Sequence, residues 1–428
     1  MKIFLGTIGC RLNLAEIERY AQQFYQAGHT LVNTPQEADL AVINTCTVTA
    51  AAASDSRQKI RQVFRSGIEN VIVTGCWATL YPDETLRMEG VQRVILNPQK
   101  DDLVPNLLLN SPEEFDLEPV ERHIGSGTRL RTRAFVKVQD GCDNHCTFCI
   151  TRIARGPGRS IAAEEVLRNV NQVLENQNEI PGAQEVVLTG VHLGSWGQDL
   201  SPRQHLSDLV RLILENTSVP RLRLSSLEPW DLDETFFSLW DNPRLCRHLH
   251  LPLQSGSQAT LHRMARKTTT ETYKNLVEAA RGVIPDVAIT TDVIVGFPGE
   301  NEIEFQESLD FIREMNFSGG HVFSYSSRPG TAAIRIPGKV AKHTIKTHSS
   351  LVRQVLEESA LTYRQKFIGQ KLSVLWEMSA VESPPGWEIN GLTDNYLRVM
   401  AYAPQTLWNQ LTPVLMTGVT PNGMVGTI

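Results

Sequence analysis

The residues of this sequence best suited to chemistry are three cysteines in one short loop, Cys142, Cys146 and Cys149. Their spacing is Cys-x3-Cys-x2-Cys, and they follow an apolar run at 134–138 that predicts a β-strand. The chain has only seven cysteines, so three within eight residues indicate a purpose-built site. Three thiolates can hold three irons of a cubic 4Fe–4S cluster and leave the fourth iron open, which is what makes a metal site reactive.

Three further cysteines, Cys10, Cys46 and Cys76, each follow a short apolar run near the start of the chain. These runs lie at 3–5, 40–43 and 71–73 and alternate with helical stretches at 14–26 and 50–64. The alternation predicts a doubly wound parallel sheet, in which ligands bind at the carboxyl ends of the strands. The three cysteines are 36 and 30 residues apart, yet this fold would bring them to one crevice.

The same three-thiolate argument predicts a second cluster with one open iron at Cys10, Cys46 and Cys76. The alternative is that these are ordinary buried cysteines, which are common in protein cores. Asn13 and Glu16 follow Cys10 at helical spacing. They either contact the site or simply begin a helix.

Size and composition limit what the whole chain can be. Its 428 residues and 47.8 kDa predict two or three domains. A net charge of −6 gives no overall basic field for nucleic acid, and no apolar run approaches the roughly 20 residues that cross a bilayer. The N-terminus lacks the apolar core of a signal peptide, so we expect a cytoplasmic protein. Thiols stay reduced there, which favours metal binding or catalysis over disulfides.

The elements that must position the first cysteine loop lie in the middle of the chain. Residues 110–130 have weak periodicity and predict a linker. Beyond it, six apolar runs alternate with helical stretches and predict a partial (β/α)6 barrel; the runs lie at 134–138, 185–188, 222–225, 248–251, 287–295 and 320–323. By analogy with complete barrels, the active site belongs at the carboxyl ends of these strands.

Small and polar residues stand at those strand ends. They suit a cofactor that carries a ribose, an amine and a carboxylate. The candidates for cofactor binding are Thr189, Gly190, Ser225, Glu228, Gln254 and Asp292. Each of them alone fits ordinary turn chemistry as well, and only their repetition over the strand ends favours a binding site.

Two stretches are basic in an otherwise acidic protein. Residues 121–160 contain eight Arg or Lys and three acidic residues, and residues 328–348 contain five basic residues and no acidic one. A basic rim beside a reactive loop favours a polyanionic substrate over a merely solvated face. The candidates for RNA binding are Arg152, Arg155, Arg159, Arg335, Lys339 and Lys342.

The last segment, 361–428, predicts five short strands and a small antiparallel barrel of the oligonucleotide-binding kind. Its aromatic residues Trp376, Trp387, Tyr396 and Trp408 either stack on bases or pack in the core. From residue 371 onward there are two basic and four acidic residues, which argues against this segment as the main RNA grip.

These motifs carry a family resemblance over essentially the whole chain. The loop with Phe148 before its last cysteine resembles the signature of radical S-adenosylmethionine (SAM) enzymes. The motifs around Cys10, Cys46 and Cys76 are similar to the N-terminal domain of the methylthiotransferases, and the tail resembles their TRAM module. Segments 189–194, 223–229 and 250–256 most resemble the MtaB type, which acts on threonylcarbamoyladenosine beside the tRNA anticodon. The resemblance implies domains at 1–115, 116–360 and 361–428.

The resemblance also implies a reaction and its cofactors. The hydrogen on C2 of adenine 37 would be replaced by a methylthio group, chemistry that side chains cannot perform alone. Two 4Fe–4S clusters and SAM are implied. The Cys142, Cys146 and Cys149 cluster would cleave SAM to a 5′-deoxyadenosyl radical, and the Cys10, Cys46 and Cys76 cluster would hold the sulfur. The partners would be the tRNA anticodon loop, with its target base splayed out, and an external electron donor, while the sulfur donor stays unidentified.

Other interpretations stay open at this point. The chain resembles, less closely, methylthiotransferases for isopentenyladenosine in tRNA or for a ribosomal protein aspartate. From another class, a zinc-bearing, non-catalytic RNA-binding protein is possible, although zinc usually needs four ligands and neither trio has an evident fourth. Cys246 matches no ligand position and predicts a free thiol, and His145 predicts a hydrogen-bonded structural residue.

Overall fold

The computed structural model describes residues 1–108, 132–176, 181–383 and 386–428. The predicted linker at 110–130 lies outside these ranges. Within them, strands and helices alternate and pair into parallel sheets over most of the chain, and the predicted multidomain α/β class is confirmed. No helix among the described residues is long and apolar enough to cross a membrane.

The first part of the chain forms one five-stranded sheet of order β2-β1-β3-β4-β5, with every neighbouring pair parallel. Its elements are β1 (Lys2–Thr7), α1 (Arg11–Gln26), β2 (Thr30–Val32), β3 (Leu40–Thr45), α2 (Ala50–Arg65), β4 (Val71–Gly75), α3 (Cys76–Leu80), α4 (Pro82–Leu86), β5 (Val91–Ile95) and α5 (Leu103–Leu108). The strand order reverses between β1 and β3, which is where ligands bind in doubly wound sheets.

Helices cover both faces of this sheet because successive strand residues point to opposite sides. On one face Phe4 and Ile43 pack with Ile60 of α2. On the other, Ile3 and Val42 belong to the core that includes α1 and α5. The carboxyl edge of the sheet is left as the place where polar chemistry can be built.

The central part holds six parallel strands in two sheets, β10-β9-β6 and β11-β12-β13. Its elements are β6 (Ala134–Lys137), β7 (Gln139–Asp140), α6 (Thr151–Arg155), β8 (Arg159–Ser160), α7 (Ala163–Leu174), β9 (Glu185–Thr189), α8 (Leu206–Asn216), β10 (Arg221–Leu224), α9 (Glu234–Phe237), β11 (His248–His250), α10 (Gln258–Arg263), α11 (Thr270–Val283), β12 (Ala288–Val295), α12 (Glu302–Met315), β13 (Gly319–Ser324) and α13 (Lys342–Gln365). Isolated parallel bridges, Leu222 to Leu245 and Ser226 to His250, join the two sheets beside β10 and β11.

The two faces of these strands have different partners. Val186 and Leu188 of β9 belong to the main core, which includes residues of α7 and α8. Val187 and Phe135 instead pack with Ala15 of α1, so the first sheet's opening helix lies against β6 and β9. Glu18 of α1 also accepts a hydrogen bond from the Phe135 amide at 3.0 Å. This contact fixes the first sheet on the central strands.

The last part is a closed five-stranded barrel of order β14-β15-β16-β18-β17. Its strands are β14 (Lys371–Ser383), β15 (Gly386–Thr393), β16 (Arg398–Ala403), β17 (Leu411–Thr420) and β18 (Gly423–Thr427). Four of the five neighbouring pairs are antiparallel, which is the arrangement predicted for this segment, and β16 and β18 pair in parallel. A ring with an odd number of strands cannot alternate direction throughout, which forces at least one parallel pair.

The barrel docks at the amino-terminal ends of the central strands, away from the cysteine loop. Arg221 and Arg223 of β10 donate hydrogen bonds to backbone carbonyls at 373 and 392–394. Arg247 pairs with Asp394 at 2.7 Å. Helix α13, which the sequence did not predict, crosses residue 360 and leads directly into the barrel.

The four aromatic residues proposed for base stacking all make internal contacts. Trp376 is fully buried and donates to Thr412 at 2.7 Å. Tyr396 stacks on His248 with ring centroids 3.9 Å apart. Trp387 packs against the barrel core, and Trp408 donates a hydrogen bond to Thr132. Core packing is therefore the role that these contacts support.

Candidate metal and cofactor centre

Cys10, Cys46 and Cys76 follow β1, β3 and β4, three adjacent strands of the first sheet. We call these three residues the sheet trio. Cys10 is exposed, whereas Cys46 and Cys76 are buried. Cys46 interacts electrostatically with both of the others, so residues far apart in sequence meet at the switch point of the sheet.

Asn13 ties two of the three turns together. Its side-chain amide donates to the carbonyl of Ile8 at 2.7 Å and to that of Thr45 at 3.1 Å, just before Cys10 and Cys46. Its carbonyl oxygen lies 3.8 Å from the Cys10 sulfur. Of the two roles considered for Asn13, contact with the site is the one that the structure shows.

The sheet trio is also held by close backbone approaches. Gly9 has φ +110°, and a Cβ there would stand 2.5 Å from the Cβ of Cys46. Ser56 of α2 accepts from the Cys46 amide and donates to its carbonyl, both at 2.9 Å. Thr45 donates to the carbonyl of Thr74 at 2.5 Å, which joins the Cys46 turn to the strand before Cys76.

Cys142, Cys146 and Cys149 lie on the loop after β6 and β7, and we call them the loop trio; all three are partly buried. Gln139 donates to the carbonyls of Asp140 and Gly141 at 3.0 and 2.9 Å and so fixes the start of the loop. Gly141 has φ +72°, and a Cβ there would stand 1.8 Å from the carbonyl oxygen of Pro157. Contacts within the protein therefore fix the conformation of the loop at its start.

Polar side chains from other strand ends surround the loop trio. Arg266 lies 3.9 Å from the Cys146 sulfur and pairs with Glu228 at 2.6 Å. His192 pairs with Asp231 at 2.5 Å. Burial lowers the pKa of His192, but hydrogen bonds with Asp231 and Cys142 outweigh it and raise that pKa to about 10. A cationic imidazole and a guanidinium therefore face two of the three sulfurs.

Burial sets the ionisation of the thiols themselves. It raises the pKa of Cys46 to about 12 and that of Cys146 to about 11. Without metal these thiols hold their protons at neutral pH, because a buried thiolate lacks solvation. A metal that binds these sulfurs would have to displace those protons.

Short helix α6 connects the two trios. It begins two residues after Cys149 and packs against α3, which begins at Cys76. Asn97 donates to the carbonyl of Ala154 in α6 at 2.7 Å and lies 3.7 Å from the Cys76 sulfur. The same asparagine thus touches the sheet trio and the helix that leaves the loop trio.

Arg155, the last residue of α6, was proposed as an RNA contact, but it is buried. Its guanidinium bonds Glu16 at 3.0 Å, Asp140 at 2.8 Å and Asn13 at 2.8 Å. A side chain that is enclosed by the protein cannot grip a phosphate backbone. Arg155 follows Cys149 in a basic stretch of the sequence, which suggested an exposed side chain. Its contacts with Glu16 and Asn13 show that packing of α1 against this region encloses it.

Arg155 belongs to an ion cluster that is buried except for the partly exposed Asp101; its members are Glu16, Lys100, Asp101, Lys137, Asp140 and Arg155. Burial alone would raise the pKa of Glu16, but Arg155 and the two lysines lower it to about 2. Asp140 also accepts the amide of Gly141 at 2.8 Å, next to the loop trio. The cluster therefore spans from the helix after Cys10 to the residue before Gly141.

Five of the six cofactor candidates lie at or shortly after the ends of strands, whereas Asp292 lies within β12, and the six differ in what they offer. Ser225 Oγ and Asp292 Oδ1 are buried and have no hydrogen-bond partner among the described residues. Gln254 has φ +70°, a strained value typical of functional positions. Glu228 is already paired with Arg266. The other two, Thr189 and Gly190, lie at and just past the end of β9, where a Cβ on the glycine would stand 3.0 Å from Gln139.

The remaining RNA candidates are all exposed: Arg152, Arg159, Arg335, Lys339 and Lys342. Arg152 lies on α6, and Arg335 on the loop that follows β13. That loop touches the loop trio's own segment, because Ala333 donates to the carbonyl of Thr147 at 2.8 Å. Arg152 and Arg335 therefore lie on segments that adjoin the cysteine loop.

Several site residues were missed from sequence. Ser56, Asn97 and Arg266 act through contacts between separate elements, so no local pattern marks them. Gln139 stands directly before the loop, and its position is the only signal that pointed to it. Cys246, by contrast, is a free buried thiol as predicted, and burial raises its pKa to about 12.

Among the residues that the structure describes, no three His, Cys, Asp or Glu side chains converge on a single metal ion. A tetrahedral zinc site requires such convergence. In a cubic cluster each thiolate holds a different iron, so the sulfurs stay apart.

Comparisons with known proteins show which families the chain resembles. A model described as the uncharacterized protein family UPF0004 matches residues 2–97, and the radical SAM superfamily model matches residues 136–312. The threonylcarbamoyladenosine tRNA methylthiotransferase MtaB of Bacillus subtilis is 34% identical, covering 95% of this chain and 92% of the relative. A tRNA-2-methylthio-N(6)-dimethylallyladenosine synthase of Cereibacter sphaeroides is 30% identical, covering 99% and 98%.

One solved structure has a similar fold over much of the chain. It is the radical SAM methyltransferase TsrM of Kitasatospora setae, with a TM-score of 0.57 over 78% of this chain and 73% of that one. At 13% identity the likeness concerns the fold alone. It reaches beyond the matched radical SAM range, so more than the central sheets is shared.

Proposed function

Because this chain belongs to the radical SAM methylthiotransferase family, we propose that it converts N6-threonylcarbamoyladenosine at position 37 of tRNA to its 2-methylthio derivative. The observation that carries the proposal is the packing of α6, the helix that follows the loop trio, against α3 and Asn97 beside the sheet trio. Asn97 contacts Cys76 of the sheet trio and the α6 backbone that leaves the loop trio. The greater identity to the MtaB relative than to the dimethylallyladenosine synthase supports this substrate.

A radical SAM domain implies a 4Fe–4S cluster and SAM, and we assign the cluster to the loop trio. We assign a second cluster to the sheet trio. When bound, these groups supply the radical and the sulfur that replacing an aromatic hydrogen requires. In both trios the donor set fits, since three cysteines and no evident fourth ligand leave one iron open for a substrate.

The chain's own residues hold and orient these groups. Ser225 and Asp292 have unsatisfied buried oxygens that suit the hydroxyls and amine of SAM. Arg266 and protonated His192 face thiolate sulfurs and offset their negative charge. The ion cluster around Arg155 keeps the two sites in register, because its members come from both sides of the interface.

The tRNA would approach the side that carries the exposed basic residues. Ile153 and Ile334 are 49% and 43% exposed and stand next to Arg152 and Arg335. Aliphatic and basic side chains in alternation suit a splayed loop with its bases and phosphates. We propose domains at 1–115, 116–360 and 361–428, the last a TRAM-like module, in a cytoplasmic protein that takes electrons from an external donor.

The most informative test is mass spectrometry of tRNA nucleosides from a strain that lacks the gene. We expect 2-methylthio-threonylcarbamoyladenosine to disappear and its unmethylthiolated precursor to accumulate. Re-expression of the wild-type chain should restore the product, and re-expression with Cys142→Ala should not. An unchanged product in the deletion strain, or loss of the dimethylallyl derivative instead, would remove the assigned substrate.

A further inference from the structure

The loop after β13 carries a buried arginine that neither cysteine trio explains. Arg328 is only 8% exposed, although it lies in a stretch that reads as basic and solvated. Its backbone is fixed, because both the amide and the hydroxyl of Thr331 donate to its carbonyl, at 3.1 and 2.7 Å. The bond from Ala333 to Thr147 holds the same loop on the loop trio's segment. The arginine is therefore carried by a rigid platform.

The guanidinium of Arg328 lacks the partners that a buried arginine normally has. Its Nε and one terminal nitrogen are buried without a hydrogen-bond acceptor among the described residues. Its electrostatic neighbours are Tyr81 and Cys46, and neither is a carboxylate. An unpaired buried cation costs stability, so its retention points to a partner that arrives from outside.

The location of Arg328 narrows the choice of partner. Arg328 follows β13 of the central part and interacts electrostatically with Tyr81 and Cys46 of the first part, so it lies near the interface of the two parts. Gly330 sits against α6, where an added Cβ would stand 3.1 Å from Ile153. This is where the target nucleoside must enter if both trios act on it. The planar fork of arginine matches a carboxylate or a phosphate in two parallel hydrogen bonds.

We propose that Arg328 binds the carboxylate of the threonylcarbamoyl group on the target adenosine and so selects this substrate. The inference rests on the proposed function and names the residue that reads the modified base. A nucleoside with a dimethylallyl group has no anion and would leave the guanidinium unpaired. Such a site rejects the analogue that lacks the matching group, because the buried polar atoms stay unsatisfied.

Two other anions fit the position less well. A backbone phosphate is attached to two sugars, and a side chain that is only 8% exposed leaves little room for it. A carboxylate on the end of a flexible arm can reach in. The carboxylate of SAM would lie by the loop trio, whereas the cysteine that interacts with Arg328 is Cys46.

Binding to two tRNAs tests the inference. Anaerobically reconstituted enzyme is titrated with tRNA that carries threonylcarbamoyladenosine at position 37 and with the same tRNA bearing plain adenosine there. We expect Arg328→Gln to weaken binding of the first tRNA about tenfold to a hundredfold, as loss of a charge-assisted hydrogen bond would. Binding of the second should stay unchanged. Arg328→Lys, which keeps the charge but loses the fork, should fall between.

The controls separate recognition from folding. Arg211→Gln removes an exposed arginine of α8 that pairs only with exposed Asp208, and should change neither affinity. Thermal unfolding of Arg328→Gln should be no lower than wild type, since the substitution removes an unpaired buried charge. A lower unfolding temperature together with equal losses on both tRNAs would show a structural role and overturn the inference.

The remaining outcomes are also decisive. Equal weakening on both tRNAs in a stable variant would assign Arg328 to a phosphate, and loss of SAM cleavage without tRNA would assign it to the SAM carboxylate. Unchanged binding of both tRNAs by Arg328→Gln would overturn the proposal outright. If the wild-type enzyme does not methylthiolate the threonylcarbamoyl tRNA at all, the proposed function itself fails, and that result is visible before any variant is made.

Discussion

The loop trio and the sheet trio reach the same three-cysteine arrangement in opposite ways. The loop trio lies within eight residues, so chain connectivity alone keeps its cysteines together. The sheet trio spans 67 residues, from Cys10 to Cys76, and depends on the order of three parallel strands. One site is therefore encoded by local spacing, and the other by topology and packing.

This difference has a physical consequence for each site. A loop can keep its ligands near one another even if surrounding contacts loosen, because their separation along the chain is short. The cysteines of the sheet trio are far apart along the chain, so their proximity depends on contacts from Asn13, Ser56 and Asn97. We expect perturbations of packing to damage the sheet trio first.

The largest effect should come from breaking the loop trio directly. Cys146→Ala removes one of the three thiols that we assign to the cluster, so SAM cleavage and methylthiolation should both fall to background, measured as 5′-deoxyadenosine and modified tRNA. Cys246→Ala removes a buried cysteine outside both trios and should leave both activities intact. Full activity in Cys146→Ala would contradict the assignment.

A pair of glycine substitutions compares the two sites on equal terms. In Gly9→Ala the new methyl would collide with Cys46, and in Gly141→Ala with the backbone at Pro157. We expect each variant to lose about half of the roughly eight irons that two 4Fe–4S clusters require. Only Gly9→Ala should still cleave SAM. If both variants lost the same activities, the two sites would not be separable.

Removing the link between the sites should cost stability. Arg155→Gln leaves Glu16 and Asp140 as buried acids without their main partner, and we expect a loss of about 3–5 kcal/mol in the free energy of unfolding. Urea unfolding of the protein without iron–sulfur clusters measures this free energy. The control variant Arg211→Gln is expected within about 0.5 kcal/mol of wild type. A loss below about 1 kcal/mol would mean that the ion cluster does not hold the interface.

The acid side of the pH profile checks the same contact. The pKa of Glu16 is lowered from 4.5 to about 2, so its stabilising effect is complete above about pH 4.5 and disappears as the pH falls toward 2. In Arg155→Gln this pH-dependent loss should be smaller and should end at a higher pH, because the folded-state pKa of Glu16 then lies closer to its unfolded value. Identical profiles for the two proteins would contradict this account.

The smallest effect should come from the exposed basic residues. Arg152→Gln and Arg159→Gln should each weaken tRNA binding a few-fold and reduce the slope of log affinity against log salt by about one for each lost phosphate contact. SAM cleavage without tRNA should stay unchanged. Fluorescence anisotropy at several salt concentrations provides the measurement, and an unaltered slope would place the RNA elsewhere.

Much of the fold was predictable because periodicity and turn chemistry are local. The six central strands and the sheet around Cys10, Cys46 and Cys76 appear where the apolar runs place them. The parallel pair β16 and β18 was not predictable from the strand pattern, since closure of the ring decides it. Helix α13 was missed because its residues carry a basic character that obscured their helical period.

The site was predictable where one residue type does the chemistry and not where packing does. The six cysteines stood out through their spacing, whereas Arg155 was assigned to the surface because its burial comes from the docking of α1. Arg328 was likewise assigned to a basic stretch, because the sequence does not reveal that its side chain is buried. The sequence shows which side chains are able to react, but packing between the sheets determines which of them are exposed to solvent.

The most direct test of the account is the sheet trio variant with Cys10, Cys46 and Cys76 all changed to Ala, reconstituted anaerobically. We expect about four irons per chain instead of about eight, continued cleavage of SAM to 5′-deoxyadenosine, and no methylthiolated tRNA. That result would show two sites with separate tasks. Retention of about eight irons, or of methylthiolated product, would show that the sheet trio is not a cluster site and contradict the central claim.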